Sequence, residues 1–232
     1  MPGPHRRLIL WDIDGTLVHS GTVAIEIFER AFERVVGRPP TTPFSFAGKT
    51  DRQITEEFLV LAESPDPSHA EAILDLVEVE LSIHAKRIAA DGSMCVGARE
   101  AIEALSKVPG VAQTVLTGNI PANAKLKLAA FGLADLLDLD AGAYGREHST
   151  RTALLPLAWQ SQIDRYGRAF AADETWVVGD TPLDFDCARA GGAHCLLVGT
   201  GRFSATELEG VGADAVLPDL SDTRIVVEIL TT

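Results

Sequence analysis

The chain is poor in cysteine, in aromatic side chains and in positive charge, and it has no long apolar run. Its three cysteines, Cys95, Cys187 and Cys195, are odd in number and form no CxxC pair. That argues against a disulfide framework or a thiolate zinc site and suits a reducing compartment. Lysine and arginine total 20 against 33 aspartates and glutamates, leaving a net charge of -13. Such a surface repels phosphate backbones and anionic lipid, and no basic patch offsets it, so neither a nucleic acid nor a membrane is expected as a partner. The longest charge-free stretch, residues 108–124, is interrupted by prolines and glycines. It falls short of the roughly 20 apolar residues that a membrane-spanning helix needs. The opening MPGPHRR lacks a small-residue cleavage site and reads as a frayed tip, which points to a cytoplasmic protein.

What is present is an ordinary globular composition, 46% hydrophobic and 23% charged over 232 residues. That length suits one core domain with a smaller accessory piece. Short apolar runs at 8–13, 112–116, 175–178, 195–198 and 213–217, with a weaker one at 136–139, each stop at polar or glycine-rich residues. Segments of helical periodicity at 98–107, 121–131, 152–163 and 183–190 fall between them, the pattern of buried parallel strands with crossover helices. About ninety residues after the first strand contain no convincing strand and read as helical: 23–36, a helix headed by the capping-box sequence TDRQ at 50–53, and a stretch at 69–90. A helical insertion there would sit over the carboxyl ends of the strands, where open parallel sheets bind ligands.

Three strand ends carry the chemistry. In LILWDIDGT the run ends in two aspartates one residue apart, and in an extended chain Asp12 and Asp14 project to the same side. Two close carboxylates repel unless one is protonated or a cation lies between them, although a bare DxD also occurs as a solvated turn. Gly15 permits the tight turn, and the amides around Thr16 can face an anion. VLTGN at 115–119 ends in the donors Thr117, Gly118 and Asn119, which suit phosphate oxygens and equally suit a turn. WVVGDTPLD at 176–184 supplies Asp180 at a strand end and Asp184 at a helix start. Parallel pairing of the three strands would gather Asp12, Asp14, Asp180 and Asp184 into one site whose all-oxygen donors favour magnesium. The GKT at 48–50 is no P-loop, because Pro43 stands where that motif needs glycine; Thr50 reads as a helix cap, Lys49 as a solvated lysine and His19 as a loop histidine, with contact to an anionic part of a substrate or to the substrate as their alternatives.

In these motifs the chain resembles the haloacid dehalogenase superfamily of phosphohydrolases, in particular its phosphoglycolate phosphatase-like branch. DIDGT at 12–16, TGN at 117–119, a basic residue and GDTPLD at 179–184 occur in that order over nearly the whole length. The resemblance implies an α/β fold: a Rossmann-like three-layer parallel-sheet core, residues 1–17 and 94–232, with an inserted all-helical cap domain, residues 18–93. It implies a phosphatase that acts on a small phosphorylated metabolite through a phosphoaspartate at Asp12, with Asp14 as general acid and base. Gly15, Thr16, Thr117, Gly118 and Asn119 would surround the phosphoryl group. Mg2+ would be held by Asp12, Asp14 through its backbone carbonyl, and Asp180, with Asp184 supporting them. The crowded acids would raise the pKa of Asp14 so that it can donate a proton. The family's usual third-motif lysine is missing, since residues 140–165 hold none; Arg151 is the candidate for its place and Arg146 the second. A sugar phosphomutase, or a catalytically idle binding protein, is the alternative, and nothing in the sequence fixes an oligomeric state.

Overall fold

The computed structural model describes residues 7–40, 45–64, 66 and 68–232; most of the expected frayed tip lies outside them. The chain begins with strand β1 (Arg7–Trp11), and two short strands, β2 (Val18–His19) and β3 (Ser93–Met94), bracket helices α1 (Val23–Val36), α2 (Asp51–Leu61), α3 (Ser68–Ile83) and α4 (Ala85–Asp91). Strands and helices then alternate: α5 (Ala98–Ser106), β4 (Val111–Thr117), α6 (Pro121–Ala130), β5 (Ala143–Tyr144), α7 (Leu154–Tyr166) and β6 (Thr175–Gly179). The remainder is α8 (Pro182–Gly191), β7 (His194–Val198), α9 (Ala205–Leu208), β8 (Ala215–Leu217) and α10 (Thr223–Thr231).

Among the described residues six strands form one parallel sheet in the order β5-β4-β1-β6-β7-β8. β1 lies at its centre: Trp11 is in register with Val115 of β4 on one side and Val178 of β6 on the other. Alternation sends successive residues of β1 to opposite faces. Ile9 and Trp11 enter the apolar layer built with α5, α6 and α10, while Leu8 and Leu10 enter the layer built with α7 and α8. The result is the expected three-layer sandwich. A third apolar cluster, with Phe28, Phe32, Phe58 and Leu74 among its members, sits inside the helices between β2 and β3.

The antiparallel pair β2 and β3 ties together the two points where the chain leaves the sheet and returns. The head of α2 is bonded to the loops after β4 and β5. Asp51 N–H donates to the Gly118 carbonyl at 2.7 Å, Arg52 N–H to Gly145 at 3.2 Å, and the Thr50 hydroxyl to His148 at 2.7 Å. The glycines permit this approach, since a Cβ on Gly118 would lie 2.1 Å from the Lys49 carbonyl oxygen.

Several expectations change in detail. The weak run at 136–139 is not a strand but joins two 3-10 turns, Ala134–Leu136 and Leu139–Ala141, whose ends it shares; the edge strand is β5, two residues long. The single helix expected at 69–90 is two, broken at His84. At the head of α2, Thr50 Oγ1 accepts the Gln53 N–H at 3.0 Å, but the Gln53 side chain donates to Glu57 at 2.8 Å rather than closing the capping box.

Candidate active site

The carboxyl ends of β1, β4 and β6 are neighbours, so the three sequence motifs meet. Asp12 continues β1, its N–H donating to Val178 O of β6 at 2.8 Å. Its carboxylate and those of Asp180 and Asp184 form a buried group whose ligand atoms lie within 4.8 Å of one another. Arg151, in the turn before α7, supplies the positive charge. Its Nη2 lies 2.8 Å from Asp12 Oδ1 and also donates to Asp184, and its Nη1 donates to the Gly48 carbonyl at 3.1 Å. Asp184 Oδ2 in turn accepts the N–H and hydroxyl of Thr181 at 3.0 and 2.7 Å, so one side chain caps α8 and orients Arg151. Arg151 Nε is buried and has no hydrogen-bond partner among the described residues.

Three carboxylates against one guanidinium leave two negative charges uncompensated. The pKa directions register the imbalance. Burial lifts Asp12 to about 6 against the pull of Arg151. Burial, reinforced by Asp184 and Asp12, lifts Asp180 to about 8. Asp180 accepts a hydrogen bond from the Thr16 hydroxyl at 3.2 Å and is enclosed by glycines. A Cβ on Gly15 or Gly201 would stand 2.4 or 1.7 Å from its Oδ2. A buried all-oxygen pocket short of two positive charges fits a hard divalent cation.

Asp14 stands apart. Its carboxylate does not belong to the group of three, which corrects the expectation of one four-aspartate cluster. Gly15, at φ +87°, turns the chain, and the Asp14 side chain meets Lys127, Asn119 and Ser20 instead. Lys127 Nζ lies 2.7 and 2.9 Å from its two oxygens and 2.7 Å from Asn119 Oδ1. Burial raises the Asp14 pKa, but Lys127, Asn119 and Ser20 more than offset it and hold the carboxyl below its ordinary value. The expected upward shift is therefore reversed, because the nearest charge is a cation rather than another carboxylate.

Thr117 Oγ1, fully buried, accepts from the N–H and side-chain amide of Asn119 at 3.3 and 2.8 Å. Arg146, the second candidate for the basic position, pairs with Asp75, Glu71 and Glu78 of α3 and lies outside the carboxylate group. Sequence reasoning missed Lys127, Ser20 and Asp51. Lys127 had a signal: it falls four residues after Asn123, on the same buried stripe of α6 as Ala124 and Leu128, where a lysine is out of place unless it is paired. Asp51 sits below the head of α2, accepting the Ile120 N–H at 2.8 Å, and burial lifts it to about 6 against the pull of Lys127. Thr50 caps α2 as expected, whereas Lys49 is bonded to Glu57 at 2.6 Å rather than solvated.

A parallel sheet with a carboxylate at the tip of its central strand, more carboxylates at the tip of the next, and a helical insertion overhead defines an α/β enzyme class. The profile of the haloacid dehalogenase-like hydrolase family matches residues 9–189, and the chain belongs to that family. No curated protein matches it. Among solved structures it is similar to a predicted phosphatase from Clostridium acetobutylicum, with 18% identity, 98% of this chain and 100% of that one covered and a TM-score of 0.71. A predicted phosphoglycolate phosphatase from Haemophilus somnus is 16% identical, with 96% and 97% covered and a TM-score of 0.66. A provisionally named beta-phosphoglucomutase from Bacteroides vulgatus is also 16% identical, with 98% and 89% covered and a TM-score of 0.68. These likenesses describe a shared fold.

Proposed function

We propose that the protein is a magnesium-dependent phosphatase that hydrolyses a small phosphorylated metabolite through a phosphoaspartate at Asp12. The carrying observation is Asp12 itself: a buried carboxylate at the tip of the central strand, fixed by Arg151 and grouped with Asp180 and Asp184. Residues 1–17 and 94–232 form the core in this reading, and residues 18–93 the cap that closes over it from the β2–β3 pair.

The cation would be held by Asp12, the Asp14 carbonyl and Asp180, with Asp184 supporting them. When bound it lowers the repulsion between a carboxylate and an incoming phosphate dianion. Arg151 holds the Asp12 carboxylate in one orientation, so little rotational freedom is lost on approach to phosphorus. The Thr117 hydroxyl, oriented by the N–H and side-chain amide of Asn119, donates to a phosphoryl oxygen with Gly118 beside it, and the turn at Gly15 and Thr16 closes the other side. Asp14 gives a proton to the leaving oxygen and then takes one from the water that attacks the acyl phosphate. The arriving dianion raises its pKa, countering Lys127 where a proton is needed.

The test is turnover of an aryl phosphate with Mg2+ present. Asp12→Asn should lower kcat by several orders of magnitude. Turnover at the parental rate would exclude Asp12 as nucleophile. Incubation with a bisphosphorylated sugar separates the phosphatase from a mutase, which returns the phosphoryl group to a substrate hydroxyl.

A further inference from the structure

The acidic floor opens into a cavity of about 420 Å³ between the core and the helices between β2 and β3. That size falls in the range of small-molecule sites. Phe28, Ile54, Val77 and Leu81 bound it but are only 1–4% exposed, so they close the space and offer a ligand little surface. The polar side chains around it differ in how far they are engaged. Lys49 is bonded to Glu57 at 2.6 Å, Asp51 accepts the Ile120 N–H at 2.8 Å, and Ser20 donates to Asp14 at 3.0 Å. Arg202, exposed, donates to the Ser45 hydroxyl at 2.9 Å and has no acidic partner among the described residues, and His19 makes a weak contact with Cys95 Sγ at 3.5 Å. The cavity therefore admits a polar ligand.

Asn123 combines burial with a lack of partners. It lines the cavity and is 3% exposed, and its side-chain amide has no hydrogen-bond partner among the described residues. A buried amide left unpaired costs stability, and the face of α6 that carries it otherwise turns Ala124 and Leu128 inward. Asn123 lies one helical turn before Lys127 on that face, about 6 Å along the axis. Lys127 and Asn119 each hold Asp14 at 2.7 Å. In the phosphatase reading Asp14 faces the leaving oxygen, which puts the Asn123 amide next in line, along the alcohol part of the substrate. An amide both gives and accepts hydrogen bonds, as a hydroxyl does, so the two match.

We propose that Asn123 is the residue that reads the alcohol part of the substrate, exchanging hydrogen bonds with a hydroxyl on the carbon next to the ester carbon. The substrate is then the phosphate monoester of a hydroxylated alcohol, and a plain alkyl phosphate is rejected because it leaves the amide dry and unpaired. This rests on the phosphatase reading for its phosphoryl end.

Phosphonates, in which carbon replaces the ester oxygen and blocks hydrolysis, separate binding from turnover. The pair to compare is 3-hydroxypropylphosphonate and butylphosphonate, which differ by a hydroxyl in place of a methyl group. Titration calorimetry of the wild-type protein with Mg2+ should show the hydroxylated compound binding at least roughly tenfold more tightly. In Asn123→Leu, close to asparagine in size, the ratio should fall to about twofold or less, and Asn123→Ala should do the same, with melting of both checked by circular dichroism. Equal or reversed affinities in wild type, no detectable binding of 3-hydroxypropylphosphonate, or a ratio that survives in either folded variant would overturn the inference; a lowered melting temperature with the ratio intact would make Asn123 a packing residue. The phosphatase reading fails separately: the hydroxyl preference without wild-type turnover of phenyl phosphate would remove the reaction and leave the contact, whereas turnover without the preference would do the reverse.

Discussion

Arg151 and Lys127 divide the positive charge of the site, and the consequences of removing them differ because their partners differ in exposure. Arg151 serves Asp12 and Asp184, both almost wholly buried, whereas Lys127 serves Asp14, whose side chain is 39% exposed. Breaking a buried ion pair from one side costs about 3–5 kcal/mol, because the remaining charge stays dry. Arg151→Ala should therefore lower the unfolding free energy of metal-free protein by about that amount in urea titrations at neutral pH. Lys127→Met leaves a carboxylate that water can reach, so a loss of about 1 kcal/mol is expected. Its larger effect should fall on kcat, at least tenfold with KM changed much less, because Asp14 loses the group that orients it; Lys127→Arg should recover part of this. A fall in KM-dependent binding alone, with kcat intact, would show that Lys127 contacts substrate and does not position Asp14.

The head of α2 has its own titration. Asp51 is buried, and its folded pKa of about 6 lies above the ordinary 3.8, so the native state holds the proton more tightly than the unfolded chain does. Its contribution to stability is thus fully present below the ordinary pKa and is lost as pH rises through about 6. A shift of that size corresponds to about 3 kcal/mol. Asp51→Asn keeps an oxygen for the Ile120 N–H and removes the titration. The variant should melt higher than wild type at pH 7.5 and alike at pH 4; equal melting at both values would refute the assignment. Such elements show what the sequence revealed and what it hid. The long apolar runs of β1, β4, β6 and β7 stood out because buried parallel strands are apolar on both faces. The edge strand β5 did not, since two residues, Ala143 and Tyr144, carry no periodicity. The three motifs of the candidate site were legible as residues that end strands. The pairing of Asp14 with Lys127 was not, because it joins a turn to a helix 113 positions away.

At the scale of the whole molecule, a cation bound by the acidic group would couple to stability. Any ligand held only by the folded state raises stability by mass action, about 2.7 kcal/mol at a hundredfold excess over its dissociation constant. For a chain of this length that amounts to an increase in melting temperature of about 5–10 °C. Chelator-treated protein should show this rise on addition of Mg2+, and Asp180→Asn should abolish most of it; a wild-type melting temperature indifferent to Mg2+ would mean that the carboxylates bind no cation. The sheet order has a further consequence for biosynthesis. β1 leaves the ribosome well before either neighbour, since its partners lie at residues 111–117 and 175–179. Until then both its edges are open and its apolar side chains have no layer to enter, so the nascent chain passes through a long interval that favours chaperone capture. The carboxylates lie at both ends of that interval, so the group of three is complete only once residue 184 has been made.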